Sequence, residues 1–185
     1  MKLLTLFIFW VFCCSFQVIN SNVVWSGDKC LKWEDFKGKV DSKSEFHAAT
    51  HSGVEKAYHT KKDTLYIKIT AEFYPDNSWV RPESKTDYLL AHEQNHFNIN
   101  EIYARKLRKL FLRNTFNKVN IKIKLNEVFL KNNIEKLRYD SIYDKETKHS
   151  QDIIQQKKWE QKIKKELDSL SSYKDTLLKI NLIIN

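Results

Sequence analysis

The stretch from about Asp87 to Arg113, DYLLAHEQNHFNINEIYARKLRKLFLR, constrains the chain most, because it joins helical periodicity to three chemically committed side chains. At about 100° per residue, His92 and His96 lie about 40° apart, and Leu89, Ile99, Tyr103, Leu107 and Leu110 fall on the same stripe. Two imidazoles on a core-facing stripe need hydrogen-bond partners or a metal, since unsatisfied buried polar groups are costly. His92, Glu93 and His96 spell H-E-x-x-H, the helical spacing in which two histidines grip Zn2+ and the glutamate serves as general base. Glu93 falls at the edge of the stripe, about 100° from His92, where a carboxylate can reach a metal-activated water without ligating the metal.

A catalytic zinc site needs a third protein ligand and an open position. Glu101 follows His96 by five residues but falls about 180° from His92, so it is expected on the helix surface. His149 is the first choice, an imidazole delivered by a polar loop that also holds Tyr143, Asp144 and Thr147. Glu127 and Glu135, on a second expected helix, Asp144, and the histidines His47, His51 and His59 remain alternatives.

The surroundings suit an α+β domain. TLYIKITAEF, from Thr64 to Phe73, alternates apolar and polar residues and predicts a strand. Val23 to Lys39 reads as a short strand and a turn, and residues 41–53 as a loop whose end could become extended. Both prolines lie in the 75–87 loop, after which Ser84 or Thr86 can cap the motif helix. A second helix is expected over about Ile121 to Leu137, then a loop, then a third helix from near Asp152. Trp159, Ile163, Leu167 and Leu170 form the inner stripe of that last helix.

The first residues, MKLLTLFIFWVFCCS, follow the order of a secretory signal peptide, basic then apolar then small. The apolar run is too short to span a membrane. A signal peptide over residues 1–21 is expected, with cleavage after Ser15 or Ser21, giving a periplasmic or extracellular protein. Acylation at Cys13 or Cys14 is the weaker reading, since a bulky Phe12 precedes them. Removal of the signal leaves Cys30 as the one cysteine and excludes an internal disulfide, so stability must come from a core or a metal. The formal charge of +9 could favour anionic partners, yet the basic residues alternate with apolar and acidic ones at helical intervals, as solvated faces do. Nucleic acid is not an expected partner of an exported chain.

Three stretches carry a likeness: LKWEDFKG from Leu31 to Gly38, SWVRPESKTDYLLAHEQNHFNI from Ser78 to Ile99, and YDKETKH from Tyr143 to His149, followed by Gln156 and Trp159. They resemble a family of predicted secreted zinc-dependent proteases, the DUF922 type, known mainly as a domain of unknown function. The family pattern reads H-E-Q-G-H-F and Y-D-x-x-T-x-H-G; this chain has Asn95 and Ser150 in place of the two glycines. The resemblance implies zinc ligation by His92, His96 and His149, with Glu93 as catalytic base. It matches Tyr143 and Asp144 to motif positions, where Tyr143 could donate to a developing oxyanion and Asp144 could orient His149.

The expected architecture is zincin-like α+β, a small mainly antiparallel sheet packed on the zinc-motif helix. The domain would cover residues 22–150, with 151–185 as a C-terminal amphipathic helical extension. The expected activity is peptide-bond hydrolysis by Glu93-assisted attack of zinc-bound water on a protein or peptide substrate, with the Thr64–Phe73 strand a candidate to hold the substrate as an added strand. The rival is a non-catalytic exported module whose basic helices contact an anionic envelope component, with zinc structural or absent.

Overall fold

The computed structural model describes residues 22–184, so the expected signal peptide lies outside the described residues. The elements in chain order are β1 (Val23–Val24), β2 (Ala48–Ala49), β3 (Ser52–Lys61), β4 (Thr64–Phe73), β5 (Trp79–Val80), α1 (Asp87–Arg113), β6 (Phe116–Asn117), α2 (Ile121–Thr147), α3 (Ile153–Ser169) and β7 (Leu177–Ile183). The architecture is α+β with three helices and a mainly antiparallel sheet. No helix among the described residues is long and apolar enough to cross a membrane.

The alternation in β4 decides where the sheet buries its apolar face. Leu65, Ile67, Ile69, Ala71 and Phe73 all point inward and are buried, each large side chain stabilising by roughly 1.5–3 kcal/mol. β4 is the central strand. β3 pairs with it antiparallel along its whole length, from Ser52 opposite Phe73 to Lys61 opposite Thr64. On its other side β7 pairs with Thr64 to Lys68 and β1 with Glu72 and Phe73. β6 adds to β7 in parallel, and β2 and β5 form a separate antiparallel pair.

α1 spans the residues its periodicity predicts. Thr86 caps it, its hydroxyl accepting from the Leu89 amide at 3.1 Å. Its inner stripe, with Leu89, Phe97, Ala104, Leu107 and Phe111, packs in the cluster that includes the sheet's inner residues. A second cluster of Ile99, Ile102, Tyr103, Tyr143, Trp159, Ile163 and Leu170 joins α1 to α2 and α3. The helix is therefore enclosed by the sheet on one side and two helices on the other. This corrects the expectation for Glu101, which is only 3% exposed: with no solvated face there, it is buried in ion pairs with Arg105 and Arg108.

Two further expectations are corrected. α2 continues through Thr147, ten residues beyond Leu137, so Tyr143 and Asp144 stand on a helix and not in a loop. Residues 151–185 hold the expected amphipathic helix, buried through Gln156, Trp159 and Ile163, but then return as β7 into the sheet. Leu178, Ile180 and Leu182 fill the core beside β4, and the alternation that places them there is short and flanked by exposed apolar Leu177 and Ile183.

Candidate metal centre

α1 supplies His92 and His96, and α2 supplies Asp144. Their ligand atoms all lie within 4.8 Å of one another, a group that could hold a metal ion. One carboxylate oxygen, Asp144 Oδ1, faces both rings, 3.3 Å from His92 Nε2 and 3.1 Å from His96 Nε2. Such an oxygen between two ring nitrogens is satisfied by a proton on each ring or by one cation.

The far nitrogens show which choice the fold prepares. His92 Nδ1 lies 3.1 Å from Gln156 Oε1 on α3. The Gln156 amide nitrogen donates to Tyr88 O at 3.2 Å, which turns the oxygen toward the ring and makes His92 Nδ1 the donor. His96 Nδ1 lies 3.1 Å from Asp140 Oδ1, and Asp140 is itself paired with the buried Lys136 at 2.8 Å. Both rings thus present Nε2 to a common point, the outer arrangement that orients histidine ligands at metal sites. Two neutral imidazoles and a carboxylate are a donor set that fits a divalent transition metal.

Charge at the site follows from these contacts. Burial alone lowers the His96 pKa, but hydrogen bonds to Asp140 and Asp144 and their negative charge outweigh it and push it up to about 10. Burial raises Asp144, yet the hydrogen bonds from His92 and His96 hold its carboxyl well below the ordinary carboxylate range. Metal and proton compete here for the same nitrogens.

Tyr143 underlies the cluster. Its ring stacks on His92, 4.7 Å between centroids, and meets His96 edge-on at 5.1 Å. The hydroxyl donates to the His92 carbonyl at 3.3 Å and accepts from Asn95 Nδ2 at 3.4 Å. Burial raises its pKa, so the phenol stays protonated. The side chain is fully buried and outside the cavity lining.

A cavity of about 190 Å³ opens on the cluster, lined by His92, Glu93, His96, Asp144 and, across from them, the 45–50 segment. Glu93 is only 4% exposed, and among the described residues its carboxylate makes no hydrogen bond or ion pair. His149 stands at the rim, its side chain 49% exposed, with Nδ1 3.7 Å from Asp144 Oδ1 and its ring 4.7 Å from that of Phe46. Lys148, His149 and Ser150 all have positive φ, 50°, 51° and 68°. Ser150 thus adopts, without being glycine, the left-handed conformation that favours one.

The remaining candidates separate. His47 lines the cavity and contacts the Ser84 hydroxyl at 3.0 Å. Glu127 and Glu135 are exposed on α2, and Glu127 pairs with Lys124. His51 is exposed outside the cluster, and His59 stacks on Tyr66 of the sheet. Asp140 and Lys136 were not anticipated. Reading 138–147 as helix would have found them, since Lys136, Asp140, Tyr143, Asp144 and Thr147 recur at helical intervals.

β4 is corrected as a substrate-binding strand. Its hydrogen-bonding groups are engaged on both sides, by β3 on one and by β7 and β1 on the other, with Ile69 N donating to Thr176 O and Trp25 N to Ala71 O, both at 2.9 Å. No family model matches the chain, and neither a curated protein nor a solved structure matches it.

Proposed function

We propose that the protein is an exported zinc-dependent peptidase with a zincin-like site, as the resemblance to secreted zinc-dependent proteases implies. The observation that carries this reading is Glu93. Directly after one metal-facing histidine, a carboxylate with no hydrogen bond or ion pair among the described residues opens onto the same cavity as His92, His96 and Asp144. A purely structural site has no use for such a group.

His92, His96 and Asp144 would hold the zinc, and when bound it supplies a Lewis acid that makes water nucleophilic and draws charge from a carbonyl. Glu93 takes the proton from the attacking water and returns it to the departing amine. Gln156 and Asp140 keep the two imidazoles aimed, and Tyr143 supports both rings from beneath. The 45–50 segment pairs through β2 with β5 alone, so it is the strand against which an extended peptide can lie across the cavity. His149 is then a residue of the cavity mouth.

The test is cleavage of an unstructured, fluorescently labelled protein by the zinc-loaded wild type and by Glu93→Gln. Loss of a general base is expected to lower the rate by about 10²–10⁴-fold with zinc retained. A Glu93→Gln protein of unchanged rate would end the reading.

A further inference from the structure

α2 carries two apolar faces. One, through Leu125, Phe129 and Tyr143, enters the core. On the opposite side Ile123, Leu130 and Leu137 recur every seven residues with Ile134 between the last two, and these four are between 51% and 65% exposed. The residue after each of these three heptad positions is basic, Lys124, Lys131 and Arg138, and Lys145 continues the row after Asp144 of the metal cluster. Lys124 pairs with Glu127, whereas Lys131, Arg138 and Lys145 make no ion pair or hydrogen bond among the described residues.

We propose that this face of α2 docks an amphipathic helix of a partner protein that carries an apolar seam flanked by acidic residues. The stripe is only about 60° wide, the width of a coiled-coil seam and narrower than the face of a helix lying on lipid. It holds aliphatic side chains alone, without the tryptophan or phenylalanine that anchors an interfacial helix. The spacing 130, 134, 137 alternates four and three, as knobs entering the holes of one facing helix do.

The basic row decides the partner's charge. Flanking positions set partner choice in such pairs, and three uncompensated cations along one edge call for carboxylates opposite. A second copy does not supply them. Antiparallel pairing sets the basic row against itself, and parallel pairing offers Asn126, Asn133 and Asp140, of which Asp140 is already held by His96 and Lys136. Asp144 is the next heptad position after Leu137, so the apolar stripe stops about two turns short of the metal cluster and uses none of its residues; the inference does not rest on the peptidase reading.

The probe is a synthetic four-heptad peptide with Ile and Leu in the seam and Glu at both flanks, whose own charge repulsion keeps it single. Its binding to the purified protein is followed by fluorescence anisotropy beside the same peptide with Lys at the flanks. The Glu peptide is expected to bind at least about tenfold more tightly than the Lys peptide, with an affinity that falls as salt rises. Leu130→Asp, an exposed substitution, should lose that binding with an unchanged circular dichroism spectrum, and Lys131→Glu with Arg138→Glu should invert the preference. Equal binding of the two peptides, or binding of neither, overturns the proposal. So does sedimentation as a dimer that Leu130→Asp dissociates, or binding to vesicles rich in anionic lipid without binding to the peptide.

Discussion

Replacing Glu101 by Leu tests whether α1, the helix that positions His92 and His96, is held by ions as well as by packing. Glu101 Oε1 accepts from Arg105 Nε at 2.8 Å and from Arg108 Nη1 at 2.9 Å, and Oε2 accepts from Arg108 Nη2 at 3.1 Å. Arg108 is 0% exposed, and its remaining donors reach Ile69 O in β4 and Tyr173 O before β7, while Arg105 reaches Leu167 O in α3. One carboxylate thus neutralises two cations that tie α1 to the sheet and to the C-terminal segment. Removing it leaves both cations buried and unpaired, a loss of about 3–5 kcal/mol. For a domain of this size each kcal/mol moves Tm by roughly 2–4 °C, so thermal unfolding should drop by about 6–20 °C. Adding Arg108→Met should make the double variant less destabilised than the sum of the single changes, because one of the two stranded charges is gone. A Glu101→Leu protein melting within about 2 °C of wild type would refute the reasoning.

Other consequences follow from the site. Asp140→Asn weakens the partner that aims His96 and should lower metal affinity by about 10–100-fold, read by chelator competition; unchanged affinity would remove Asp140 from the account. In the chelator-treated protein the raised His96 pKa stabilises fully below about pH 6.5 and is lost as pH rises through about 10. The depressed Asp144 stabilises above about pH 4 and is lost on acidification. Metal-free wild type should therefore melt higher at pH 6 than at pH 9.5, with a smaller difference in His96→Ala; equal differences in the two proteins would contradict the ion pairing. Ser150→Gly relieves a left-handed serine and should raise stability by about 0.5–1 kcal/mol in denaturant titration, whereas a loss would show that the turn is not strained.

How far the sequence reached depended on whether a signal was local. β4 and α1 were legible because alternation, periodicity and the Thr86 cap act within one segment. His92, Glu93 and His96 were legible for the same reason, since four-residue spacing on a known helix fixes their geometry. The partners of those histidines were not, because Gln156 lies 64 residues from His92 and Asp140 lies 44 residues from His96. Residues 138–147 hid their helix because Asp140, Ser141, Asp144 and Thr147 are residue types that favour turns and caps, while the contacts that hold them helical come from α1. Glu101 was misplaced by assuming that the face opposite the core stripe meets solvent. β3 was missed because, as the edge strand, it is mostly exposed and carries Lys, His and Thr where a central strand would alternate.

The central claim is a metal held by His92, His96 and Asp144. It is tested most directly by elemental analysis of the purified protein for zinc, comparing wild type with His92→Ala, His96→Ala, Asp144→Ala and His149→Ala. The account predicts about one zinc per chain in wild type and in His149→Ala, with the metal lost or weakened in the other three. Wild type that takes up no zinc after reconstitution, or full zinc in Asp144→Ala, would contradict it.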